Sequence, residues 1–481
     1  MKRSIRKNYL YNLMYQLSAV LLPLITMPYV SRVLEVEGIG INSYTNANTQ
    51  YFILIGSLGI SIYATKKIAT VREDIAKLRE NFWGIFLLQF IGCILAYIVF
   101  LLTMVRNNDL SQFYFYQGFF IIASAVDISW YFLGKEDFKN ASIRSLLVKV
   151  ISVLLIFMFV RTKYDLWKYI FINSSTILIG QLVMWIYVDK TVLRIKELRR
   201  VKIIVHILPA LTLFLPQVAT QVYMVLDKTM TGILTNTVEV GYYDQSQKII
   251  RVLLAVVTSL GMVMLPRIAN MHKNGQLDQS INYLRRAFRM ICFLSIPISF
   301  GIIGVSNKFI PLFFGANYTS VIILTQISAL MIIIIGVGNV FGTQYLLAIG
   351  KNKEYTYSVC VGAVVNLSLN LILIPKLAAL GAVIATLIAE TFIASIQCWY
   401  SRKILSIQWI KETYKYWIAG ILMLIVVKLL GSGNSRSIVI LTKQVLGGVI
   451  TYFVILFIFR DSFLVETIKN FKMKVFKKEE F

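Results

Sequence analysis

Apolar runs of about twenty residues, the length that crosses a bilayer as one helix, recur along almost the whole chain with short polar breaks between them. Each such run reads as a transmembrane helix. Hydrophobic residues make up 57% of the 481, charged residues only 15%, and mean hydropathy is +0.71. A soluble domain of that composition would precipitate. Cutting at the charged and Gly/Pro/Asn-rich breaks gives about fourteen spans, centred near residues 21, 53, 93, 122, 153, 178, 219, 253, 294, 334, 365, 391, 422 and 450. The basic start leads into an apolar stretch running to about residue 34, too long for a signal-peptide core and without a small-residue cleavage site. It reads as the first span.

The net charge of +26 has a topological cause. Most of the 49 Lys and Arg residues cluster at 1–8, 66–80, 134–144, 189–203, 267–289, 349–355, 402–415 and 460–481, whereas the alternate connections carry only Arg106, Arg161, Lys163, Lys168, Lys308, Lys376 and Arg436. Basic loops stay in the cytoplasm, so both termini are expected inside. This asymmetry accounts for the charge without nucleic acid, which is not expected as a partner. The four cysteines lie singly in apolar runs, which supports neither a disulfide framework nor a zinc site. Neither histidine has metal-like spacing, and no GxSxG or Walker-type loop occurs. The chain is read as a non-enzyme without a cofactor.

An internal repeat organises the spans. WYFLGKEDF, ahead of the fifth, corresponds to YLLAIGKNKEY, ahead of the eleventh, so that Gly134-Lys135 matches Gly350-Lys351. Gly40, opening the second span, likewise matches Gly241, opening the eighth. A repeat of six helices keeps its orientation, which implies a parallel pseudo-two-fold with the substrate path between the halves. The expected fold is therefore all-α and polytopic, with a six-helix lobe at 1–195, a second at 196–405, and two further helices with a basic tail at 406–481.

Charges sunk among apolar residues cost at least about 2.5–3.5 kcal/mol and therefore mark an interior or a wet cavity. Asp244, Lys248 and Arg251 fall on one helical face, and Gln217, Gln221 and Lys228, next to Asp227, form a second stripe. With Arg32, the cations outnumber the acids and leave a positive field that a phosphate would satisfy. Two alternatives stand beside this: pairing of Asp244 with Lys248 and of Asp227 with Lys228 or Arg251, which only makes buried charge tolerable, and, for Lys149, snorkelling to the cytoplasmic interface. Asp127 and Glu390 stand as isolated carboxylates that either carry a proton or accept local hydrogen bonds.

Five segments then carry a resemblance: LPLITMPYVSRVLEVEGIGINSYTNANTQYF (22–52), VDISWYFLGKEDF (126–138), VLDKTMTGILTNTVEVGYYDQSQKI (225–249), MLPRIA (264–269) and VNLSLNLILIPKLAALGAVIATLIAE (365–390). The chain resembles the polysaccharide transporters, or Wzx-type flippases, of the multidrug/oligosaccharidyl-lipid/polysaccharide exporter superfamily. One departure is Glu35, where family members commonly have Gly after RVL. The resemblance implies a flippase that moves an undecaprenyl-pyrophosphate-linked oligosaccharide across the plasma membrane by alternating access, for capsule or another surface polysaccharide, together with membrane lipids and other polysaccharide-assembly proteins. On that reading Lys149 and then Lys248, Arg251, Lys228 and Arg32 meet the pyrophosphate, and Asn42, Asn46, Gln217 and Gln221 meet the glycan. Coupling to H+ or Na+ would use Asp127, Asp227, Asp244 or Glu390. The alternatives are a peptidoglycan-precursor flippase, a multidrug/cation antiporter of the same superfamily, a polytopic polymerase or ligase, and a non-transporting scaffold.

Overall fold

The computed structural model describes residues 5–106, 108–194, 203–432, 438–461 and 463–464, with the side chains among them except at 5–21, 138–141, 215–220, 222–224, 260 and 262–263. Among the described residues the chain is helical throughout and contains no strand, as spans that must satisfy their own backbone require. Eleven helical stretches of the described residues are long and apolar enough to cross a membrane. The protein is thus multi-pass, although this criterion yields fewer spans than the fourteen read from sequence.

Two long stretches account for much of that difference. Leu22–Val71 and Asn352–Tyr400 contain 50 and 49 residues, so at 1.5 Å per residue each would extend about 75 Å, more than twice a hydrocarbon core of about 30 Å. Both are kinked. The first helix, α1 (Ile5–Ser57), breaks at Glu35 with φ 56 and ψ −177, a region open almost only to glycine.

The chain divides into two compact units, Met1–Gly241 and Tyr242–Phe481. In the first, α1 is followed by α2 (Ile60–Val71), α3 (Ile75–Phe100), α4 (Ser111–Ala125), α5 (Ser129–Gly134), α6 (Phe138–Phe159), α7 (Leu166–Met184) and α8 (Ile204–Leu234). Close approach is set by small residues. A Cβ on Gly56 would lie 2.8 Å from the Cys93 backbone of α3, and one on Gly232 of α8 only 2.2 Å from the Tyr44 ring of α1. Phe82 sits at the centre of an aromatic cluster with Trp130, Tyr131 and Trp185.

α9 (Thr237–Lys273) crosses the boundary into the second unit, which continues through α10 (Leu277–Phe313), α11 (Ser320–Ser328), α12 (Leu330–Asn339), α13 (Asn352–Tyr400), α14 (Ile407–Leu430) and α15 (Ile438–Ile458). α12 runs on into a π-helical stretch, Val340–Leu347. The turn then closes at Gly350, whose φ of 80 explains that glycine, whereas Gly134, its expected counterpart, ends helix α5 without a positive φ, and the left-handed residue of that turn is Glu136 at φ 57. The last two helices pack on α10, where Gly420 lies against Ile296 and Phe300, and Gly448 against Val427.

Candidate functional site

In the first unit, α1 carries a seam of amides. Its residues Asn42, Thr45 and Asn46 meet one glutamine of α4: Asn46 Nδ2 donates to Gln117 Oε1 at 3.2 Å, and Gln117 Nε2 donates to Asn42 Oδ1 at 3.3 Å and to Thr45 Oγ1 at 3.2 Å. Gln117 is fully buried. One turn on, Asn48 Nδ2 donates to the Tyr114 hydroxyl at 2.6 Å, while Thr229 of α8 donates to Asn48 Oδ1 at 3.2 Å. Buried amides of this kind are satisfied before any ligand arrives and hold α1, α4 and α8 in register. Asn42 and Asn46 nevertheless remain only half-buried.

Beside the seam, Gln50, Tyr51 and Ser57 of α1 and Gln221 of α8 line a polar cavity of about 140 Å³. The predicted glycan residue Gln221 therefore does face a cavity, while the Gln217 side chain lies outside the described residues. Asp227 is buried on α8, within electrostatic reach of Tyr51, and Lys228 beside it is half-buried. Arg32 is exposed on α1, and Lys149 is half-buried on α6. Asp127 is not isolated, because it accepts from the backbone N–H of Ser129 at 2.8 Å and from its hydroxyl at 2.5 Å at the start of α5. It accepts local hydrogen bonds there.

In the second unit, Asp244 is 1% exposed, and its Oδ2 lies 2.6 Å from Lys248 Nζ one turn along α9. The pairing written above as the bland alternative is therefore present at this position. Gln247, between them, donates to Ser328 of α11 at 3.0 Å. Arg251, one turn further on, is exposed and forms no ion pair among the described residues. Glu390 is half-buried on α13 and, like Asp127, has an interaction of its own.

Known proteins place these helices. The model of the polysaccharide biosynthesis protein family matches residues 5–272, more than half of the chain. The chain belongs to that family. The chain is similar to two proteins called "Putative O-antigen transporter": one from Escherichia coli (strain K12), 23% identical over 413 residues covering 83% of this chain and 97% of the relative, and one from Shigella dysenteriae, 23% identical over 392 residues covering 81% and 98%. Among solved structures, the lipid II flippase MurJ in an inward closed conformation superposes with a TM-score of 0.69 at 18% identity, covering 94% of this chain and 99% of its own. An inward-facing multidrug resistance MATE transporter of the MOP superfamily follows at 0.59 and 12%, covering 79% and 94%. At those identities the likeness establishes the fold of this family member as MurJ- and MATE-like.

Sequence reasoning overlooked the hubs of the site. Gln117 lies in the apolar run FYFYQGFF, and a lone amide in such a run was the available signal. Gln89 of α3 is similar, since it donates to the Ser124 and Asp127 carbonyls and accepts from Trp130 Nε1.

Proposed function

We propose that the protein is a flippase that carries an undecaprenyl-pyrophosphate-linked oligosaccharide from the cytoplasmic to the outer leaflet by alternating access of two six-helix lobes, without chemical change to the substrate. Arg251 carries this reading: an exposed guanidinium within an apolar helix, with no ion pair among the described residues. A charge in that position faces water or an anion rather than lipid. The guanidinium fork matches phosphate oxygens two at a time, and Lys248, though joined to Asp244, remains partly exposed and able to turn toward an arriving anion. Lys228, Arg32 and Lys149 supply further positive charge along the route. The amides of Asn42, Asn46 and Gln221 offer sugar hydroxyls both donors and acceptors.

Membership of a polysaccharide biosynthesis family and the naming of its relatives as O-antigen transporters support this class of cargo. The basic clusters support a cytoplasmic location for both termini. In vesicles loaded with a lipid-linked oligosaccharide, the wild-type protein is expected to bring the glycan within reach of an external probe. Arg251→Ala is expected to abolish this at equal protein level, and wild-type rates in Arg251→Ala and Lys248→Ala together would overturn the cationic site.

A further inference from the structure

In the first unit, α6 and α7 leave an apolar groove of about 390 Å³ between them. Ile143, Leu147, Ile151 and Leu155 form one wall, Ile179 and Val183 the other. Leu147, Ile151 and Ile179 are each about half exposed or more, as lipid-facing residues are. Gly180 sets the depth of the floor, because a Cβ there would meet Val148 at 2.5 Å. Thr176, the hydroxyl in the groove, donates to Ile172 O at 2.6 Å and so leaves an apolar surface.

Only one end is charged. Arg144 lines it, held by Nη1 to Gln181 Oε1 at 2.9 Å and by Nη2 to Ser129 Oγ at 3.4 Å, with Tyr187 beside it. Tyr187, 53% exposed at this end, is an amphipathic ring of the kind that collects at a membrane–water interface. From Arg144 to Leu155 the groove runs about 17 Å along the helix, against about 15 Å for half of a hydrocarbon core. It therefore spans one leaflet, from headgroup depth to the midplane. A surface built for a second helix would follow the full length of α6.

We propose that this groove binds one anionic phospholipid of the phosphatidylglycerol class, its phosphate on Arg144 and Tyr187 and one acyl chain along the wall of α6. The bound leaflet is the cytoplasmic one under the orientation proposed above. The measurement is native mass spectrometry of the full-length protein released from mixed micelles containing equal phosphatidylglycerol and phosphatidylcholine. One phosphatidylglycerol is expected to be retained about fivefold over phosphatidylcholine, the preference of one near-surface cation. Arg144→Gln is expected to erase the preference and Arg144→Lys to keep most of it. Leu147→Trp, at an exposed position that tolerates a larger side chain, is expected to fill the groove and lower retention of both lipids. Equal retention of the two lipids by the wild type, or unchanged retention in Leu147→Trp, would overturn the proposal, as would conversion of a dimer to a monomer by Leu147→Trp at constant lipid content. Bound lipid is counted without transport, so failure of the flippase reading leaves this result standing.

Discussion

Two buried aspartates of the second unit differ in what holds them. Asp461 is fully buried: Arg289 Nη2 of α10 donates to it at 2.8 Å, Lys415 of α14 lies at 3.8 Å, and the backbone N–H groups of Phe463 and Leu464 donate at 3.0 and 3.1 Å. Arg289 also donates to the Tyr416 hydroxyl at 2.9 Å. Asp244 instead meets Lys248 on its own helix, and that lysine is 31% exposed. The first carboxylate ties separate elements together through fixed donors. The second meets a lysine of its own helix whose side chain is partly exposed.

The largest expected effect breaks the first of these. Asp461→Asn leaves Arg289, 18% exposed, without its charge partner and is expected to cost about 3–5 kcal/mol. It should be read as a loss of melting temperature and yield in detergent, with transport per folded molecule retained. A full loss of transport in well-folded Asp461→Asn would make the two aspartates alike.

The double variant Asp244→Asn with Lys248→Gln sharpens the other side. Removing both charges avoids an orphaned carboxylate, so stability is expected to fall by less than about 1.5 kcal/mol, while translocation is lost. Restored transport in the double variant would make this pair structural too.

Glu35→Gly is expected to stabilise the protein by about 1 kcal/mol in thermal melts, because the exposed side chain gives up no packing and the backbone escapes a glycine-only conformation. The smallest effect is at the connections. The Asp74 carboxylate accepts from the Lys77 and Ala76 N–H groups, and that of Asp189 from Thr191, which holds both below the usual carboxylate range. Their contribution is therefore fully present above about pH 4 and is lost as pH falls through their lowered values. Asp74→Asn is expected to lower the melting temperature slightly at neutral pH and to match the wild type at pH below the lowered value, so that the acid limb flattens.

Helices, breaks and the Gly350 turn were legible in the sequence because hydropathy and backbone freedom are local properties. Asp461 was not. Within 460–481 it read as part of a basic tail, because nothing local shows that Arg289, far back in the chain, and Lys415 meet it. Lys248 and Asp244 were legible as a pair through their four-residue spacing, whereas the choice between pairing and ligand binding is not encoded in spacing. Asn42 and Asn46 were legible as polar positions on an apolar helix, but their partner Gln117 required the packing of α4 on α1.

The π-helical stretch Val340–Leu347 has a consequence for lineage. A π turn accommodates an inserted residue inside an otherwise continuous α-helix, and one residue rotates everything downstream by about 100°. A relative lacking that insertion would present a different stripe of side chains from this point to Gly350. Helical-wheel comparisons across the stretch will then slip by one position, and a single-codon deletion there becomes a short evolutionary step to a re-aimed helix end.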